Sequence, residues 1–203
     1  IRDRSHPSVV VWVPLNESWG VPDIGSRPDQ KSLAVALAHL ARALDGSRPV
    51  VSNDGWEHVD SDIWTVHDYA PDAGTLLERY GTRGGVERSL THGWPAQRPV
   101  LLGRSAGEGR PVMLTEFGGI GIASEGDEGW HAYSDLPSPE AFGQRFAELV
   151  GAVLASAELA GFCYTQLTDT FQELNGLVRA DRTPKVPVEL VRAAVTGRRG
   201  RAD

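Results

Sequence analysis

Five short apolar runs punctuate the chain, and each gives way to polar or small residues. The first, Val9-Val10-Val11-Trp12-Val13, passes into Asn16-Glu17-Ser18-Trp19, and the second, Pro49-Val50-Val51-Ser52, into Asn53-Asp54-Gly55-Trp56. The third, Ile63-Trp64-Thr65-Val66, ends in His67-Asp68-Tyr69, and the fourth, Pro111-Val112-Met113-Leu114, in Thr115-Glu116-Phe117-Gly118-Gly119. The fifth, Gly161-Phe162-Cys163-Tyr164, ends in Thr165-Gln166-Leu167-Thr168-Asp169. Short continuous runs of this kind, rich in β-branched and aromatic residues, predict parallel strands buried on both faces.

Helical periodicity fills the gaps. Leu33, Leu37, Leu40 and Leu44 recur at helical spacing, which predicts a helix with those leucines on one face and Gly46 as its stop. Ser138-Pro139 reads as an N-cap followed by a first-turn proline, with Phe142, Phe146, Leu149 and Val153 as the apolar stripe and Gly161 closing the helix or opening the next strand. A shorter helix is expected over 75–80, stopped by Gly81, and a last one from about 187 to 196. Residues 81–110 and 118–137 read as long Gly-rich surface excursions, the first with some helix, and the tail 198–203 as frayed.

Strand and helix in alternation, with polar residues collected where strands end, predict an α/β fold: a (β/α)8 TIM barrel whose site lies at the C-terminal face. A doubly wound sheet has the same alternation, but no Gly-rich phosphate loop follows any run here. A full barrel needs about 250 residues and eight strands. Five runs in 203 residues therefore predict a partial barrel over 1–197, about strands four to eight with their helices.

Composition narrows the function. A net charge of −7 argues against a nucleic-acid partner, which requires a clustered basic face. No window approaches the ~18 apolar residues of a membrane helix, so no membrane partner is expected. One cysteine, Cys163, excludes an internal disulfide framework and a thiolate metal cluster, and its apolar surroundings predict a buried core thiol. The first residues lack the order of a secretory signal, which favours a cytoplasmic protein, and the start at Ile1 reads as the beginning of a fragment.

Two glutamates sit right after apolar runs, Glu17 and Glu116. Hydrolysis of a glycosidic bond needs such a pair, one to protonate the leaving oxygen and one to attack carbon or activate water. His58 and His67, with Asp54 and Asp68 nearby, offer nitrogen and oxygen donors, but no compact ligand motif appears and no metal is assigned. Among the tryptophans Trp19, Trp56 and Trp64, Trp56 is the preferred candidate for stacking on a sugar.

The stretch from His6 through Trp12-Val13-Pro14-Leu15-Asn16-Glu17-Ser18-Trp19-Gly20 resembles the acid/base motif of glycoside hydrolase family 2, and Leu114-Thr115-Glu116-Phe117-Gly118-Gly119 resembles its nucleophile motif. The run from Gly161 to Asp169, continuing to Asn175-Gly176-Leu177 and Asp181-Arg182-Thr183-Pro184-Lys185, is similar to the family's last strand and final loop. The resemblance implies a retaining O-glycosidase acting on β-linked glycosides of the β-galactosidase, β-glucuronidase or β-mannosidase kind. Glu17 would be acid/base and Glu116 nucleophile, Asn16 would bond the sugar 2-hydroxyl, and Tyr69 would bond the nucleophile; His67, Trp56 and Gln166 would line the sugar site. No cofactor is implied. Family members carry a β-sandwich, an immunoglobulin-like domain and three further barrel strands ahead of this region, so the alternative expectation is an inactive truncated barrel that binds carbohydrate weakly.

Overall fold

The computed structural model describes residues 2–93, 95–103, 109–123 and 132–197. Helix α1 spans Pro28–Leu44, followed by strand β1 (Trp64–Asp68), helix α2 (Ala73–Tyr80), helix α3 (Arg83–Arg88) and a π-helical turn, Ser89–Gly93. Strands β2 (Val112–Gly118), β3 (Ile120–Ile122) and β4 (Ser134–Leu136) come next, then α4 (Pro139–Ala155), β5 (Leu159–Thr165) and α5 (Val188–Thr196). The main sheet has the order β1-β2-β5, and β3 pairs in parallel with β4, Ile120 opposite Ser134. Among the described residues the sheets hold three and two strands, so the expected α/β alternation is present without a closed eight-stranded ring. The chain divides into two compact units, one of residues 1–67, 87–115 and 159–161, the other of residues 68–86, 116–158 and 162–203.

In the first unit the two leading apolar runs form isolated parallel bridges, Trp12 with Val50 and Asn16 with Asp54, rather than full strands. Val50 and Val51 are buried as expected, but Val10 is 68% and Val13 43% exposed, against the expectation of burial on both faces. Among the described residues the strand-like backbone bonds of this segment run to residues 49–54, including Trp12 N–H to Pro49 O and Glu17 N–H to Asp54 O, so its pairing is one-sided. In α1 the buried positions are Ala34 and Ala38, whereas Leu33, Leu40 and Leu44 are exposed. Alanines permit close approach to the core of Val21, Ile24 and Val59, and Leu44 instead lines an apolar groove of about 170 Å³ with Trp12, Val13, Pro14 and Ala41. The helix ends at Leu44 with Asp45 as its C-cap, and Gly46 follows the cap.

Within the expected loop 81–110, the described residues form α3 and the π-helical turn, which bury Val86 and Leu90, and Val100 is also buried. The π-turn has no sequence signal that 3.6-residue periodicity detects.

In the second unit α4 begins as the sequence predicts. Ser138 caps it by accepting from the Ala141 N–H, Pro139 occupies the first turn, and Phe142, Phe146, Leu149 and Val153 are buried. α4 packs against α2 and α5, and Gly143 leaves room for Leu190. Phe117, Phe162 and Phe146 meet in edge-to-face pairs around Phe117 and Tyr164, with centroids 4.9–5.8 Å apart. β5 starts at Leu159, so Gly161 lies inside the strand, and α4 has already ended at Ala155. Cys163 is exposed, correcting the expectation of a buried thiol, while its neighbours Phe162 and Tyr164 are half-buried. β3 and β4 lie in the second Gly-rich excursion, too short for period-2 patterning to reveal. The tail 198–203, expected to fray, lies outside the described residues.

Candidate active site

In the first unit, Glu17 stands on a turn of unusual backbone. Glu17 and Ser18 have φ of 52° and 60°, a left-handed pair of non-glycine residues that costs on the order of 1–3 kcal/mol per position. A buried polar network offsets that strain. The Ser18 N–H donates to Asn53 Oδ1 at 2.9 Å, and the Ser18 hydroxyl donates to Glu57 Oε2 at 2.5 Å. Asn53 Nδ2 donates to Ser18 Oγ and to the Trp56 carbonyl, and Arg98 donates to Glu57 Oε2 at 2.8 Å and to the Pro22 carbonyl. Ser18, Asn53 and Glu57 are all buried.

The Glu17 side chain meets His67: Glu17 Oε1 and His67 Nδ1 share a hydrogen bond at 2.7 Å. On the far side of the ring, His67 Nε2 lies 3.5 Å from Asp54 Oδ2, and Asp54 Oδ1 accepts from the Thr115 hydroxyl at 2.7 Å. Burial alone would push the Asp54 carboxyl up, but His67, Thr65 and Thr115 outweigh it and hold the pKa below the ordinary value, so Asp54 is a carboxylate. Trp56 sets its ring edge-on to His67 at 5.7 Å. Gly55, at φ +92°, leaves space a side chain would fill: a Cβ there would stand 2.7 Å from His67 Cγ and Nδ1.

His58 plays a different part. Its Nε2 lies 2.8 Å from the Thr65 carbonyl oxygen and 3.1 Å from the Thr65 backbone nitrogen, and its Nδ1 lies 2.8 Å from Ser61 Oγ. Both nitrogens of this buried ring are engaged inside the unit, and burial pushes its pKa down to about 4.

In the second unit, the Tyr69 hydroxyl donates to Glu116 Oε2 at 2.5 Å. Burial, then the Glu116 carboxylate, raises the Tyr69 pKa far above the phenol range, so it remains a donor at any physiological pH. Tyr69 stacks on Tyr133, centroids 3.5 Å apart and planes 12° from parallel. Gly119, at φ +56°, makes room for both rings, since a Cβ there would come within 2.8 Å of each. Asp68, buried, accepts from Arg79 at 2.6 Å and from the Tyr80 hydroxyl at 2.8 Å, which anchors the end of β1 next to Tyr69 in the chain. Gln166 donates to Glu173 at 2.9 Å and to Asn175 at 2.7 Å.

The remaining sequence candidates scatter. Asn16 is exposed, Trp56 half-buried, Trp19 77% exposed and Trp64 wholly buried. Sequence reading missed the Ser18–Asn53–Glu57–Arg98 network, the Asp54–His67 contact and the Tyr133 stack. The polar cluster Asn53-Asp54-Gly55-Trp56-Glu57 at the end of the second run was the signal available for the first two.

Parallel strands linked by helices, with acidic, imidazole and phenol groups at strand ends, have the arrangement of part of an α/β barrel domain. Residues 1–197 match the family model described as Glycosyl hydrolases family 2, TIM barrel domain, and the chain belongs to that family. It is 28% identical over 193 residues to a Beta-galactosidase of Alteromonas mediterranea, a match covering 90% of this chain and 16% of that protein. Among solved structures, a GH2 beta-galacturonidase from Eisenbergiella tayi bound to galacturonate matches with TM-score 0.66 at 18% identity, covering 97% of this chain and 35% of that one. A Faecalibacterium prausnitzii Beta-glucuronidase matches with TM-score 0.60 at 22% identity, covering 97% and 33%. The chain thus spans about a third or less of the length of these relatives.

Proposed function

We propose that this chain carries the two carboxyl groups of a retaining O-glycosidase acting on β-linked glycosides, with Glu116 as nucleophile and Glu17 as acid/base. The observation that carries the reading is the hydrogen bond from Tyr69 to Glu116. A nucleophilic carboxylate must be ionised and aimed, and a phenol that keeps its proton supplies both without competing for charge. Double displacement then runs in two steps. Glu116 attacks the anomeric carbon as Glu17 gives its proton to the departing oxygen; Glu17, now a carboxylate, takes a proton from the water that releases the sugar from Glu116. Asn16 would bond the 2-hydroxyl, and Trp56 and Gln166 would contact the sugar. Family membership supports the reaction type; the sugar is open among the galactosides, glucuronides and galacturonides named for the relatives.

The test is a panel of 2-fluoro glycosides with activated leaving groups, incubated with the full-length protein and read by intact mass and peptide mapping. Label on Glu116, from one preferred sugar, is the expected result. Label on another residue, or turnover near wild type in Glu116→Ala, would overturn the assignment, and no label from any sugar would favour an inactive barrel.

A further inference from the structure

We infer that Asp54 and His67 form a positioning dyad for Glu17, dedicating one of its carboxyl oxygens to the protein so that the other alone exchanges a proton with the substrate. The inference rests on the reading of Glu17 as acid/base. A carboxyl group has two equivalent oxygens and a free rotor, and an acid that must protonate one glycosidic oxygen gains from having that freedom removed. Here Oε1 is committed to His67 Nδ1 at 2.7 Å, while Oε2 makes no hydrogen bond among the described residues.

The ring that makes this contact is itself fixed from every side the unit provides. It is 1% exposed, which leaves almost no surface for a sugar and turns its function toward Glu17. The Asp54 carboxylate faces Nε2 at 3.5 Å and is in turn held by Thr115 and by the backbone bonds that tie residue 54 to residues 15 and 17. Trp56 closes one edge, and Gly55 has no side chain to displace the ring. With Glu17 at Nδ1 and the Asp54 carboxylate 3.5 Å from Nε2, the imidazole has a carboxyl group facing each of its nitrogens, which limits the orientation of the ring. In the first step the Oε2–H bond breaks as the bond from hydrogen to the leaving oxygen forms; in the second, water returns a proton to Oε2, and His67 stays on Oε1 throughout.

The experiment compares His67→Phe, Glu17→Ala and the double variant in the full-length protein, each on a series of aryl glycosides of falling leaving-group ability. The expected result for His67→Phe is a kcat loss on poor leaving groups at least tenfold greater than on activated ones, with no further loss when Glu17 is already alanine. His67→Asn, which keeps a nitrogen near the Nδ1 position, gives the same selectivity at smaller amplitude and replaces the phenylalanine variant if that does not fold. Equal losses across the series, or losses that multiply in the double variant, would mean a purely structural histidine and overturn the inference. If Glu17→Ala itself shows no dependence on leaving group, the acid/base reading fails instead.

Discussion

His58 makes the stability of the first unit depend on pH in a window of its own. Burial holds its pKa near 4, with the Thr65 carbonyl pulling partly in the opposite direction, whereas the ordinary value is 6.5. Above pH 6.5 neither the folded nor the unfolded chain protonates this ring, and its full contribution to stability is present. As pH falls from 6.5 toward 4, the unfolded chain takes up a proton that the folded chain refuses, and stability drops by up to ~1.4 kcal/mol per pH unit, reaching about 3 kcal/mol by pH 4. The carboxylates with lowered values in this unit, Asp3, Asp29, Asp45, Asp54 and Asp60, lose their contributions only below the ordinary carboxylate range and so do not account for this slope. Trp64 is buried with its ring edge-to-face on His58 at 5.5 Å and reports the transition by fluorescence. Urea titrations at pH 7.5, 6.5, 5.5 and 4.5 should show the wild-type midpoint falling steadily, while His58→Gln starts lower at pH 7.5 and falls less. Parallel curves for the two proteins would refute the argument.

Three further outcomes follow from particular contacts. Tyr69→Phe removes a hydrogen bond to a charged group, worth ~1.5–3 kcal/mol, so kcat/KM of the full-length protein should fall by about 10–150-fold with the fold retained; a change below threefold would remove Tyr69 from the nucleophile's support. Lys185→Met strips the buried Asp169 carboxylate of its partner at 2.7 Å, and calorimetry should register a loss of about 3–5 kcal/mol, with less than ~1 kcal/mol contradicting the burial of the pair. Gly118→Ala places a methyl inside the van der Waals envelope of the Tyr164 ring at φ +88°, so thermal unfolding should show roughly 2–4 kcal/mol lost, and a neutral result would mean the ring moves freely.

Much of the fold was legible because burial imposes a period on the residues it selects. α4 is the clearest case: Ser138, Pro139 and the four stripe residues predict its start and its face, since each obeys a local rule that packing then uses. α1 shows where the rule fails. Leucine and alanine both fit helical spacing, and hydrophobicity alone ranks the leucines inside, yet close approach to the core selected Ala34 and Ala38 and left Leu33, Leu40 and Leu44 outside. Cys163 was misread for a related reason, because a continuous apolar run says nothing about which face of a strand is covered. The π-helical turn and the three-residue pair of β3 and β4 fall below the length at which any period is detectable.

The candidate site divides along the same physical line. Glu17 and Glu116 stand out because an acidic residue after an apolar run is locally anomalous, and the anomaly needs no partner to be seen. The groups that hold Glu17 have no such mark. Ser18, Asn53, Glu57 and Arg98 are ordinary surface residue types, separated by as many as 80 positions, and what makes them a unit is that each satisfies another's buried hydrogen-bonding group. Satisfaction of that kind has no period and no preferred spacing, so only coordinates reveal it. It is nonetheless what allows two non-glycine residues to stay left-handed at the position where the chemistry would occur, since a strained turn persists only when its surroundings over-determine it. The strain at Glu17 and Ser18 and the buried network beneath them are therefore one feature, and any substitution that breaks the network should reach Glu17 before it reaches the core.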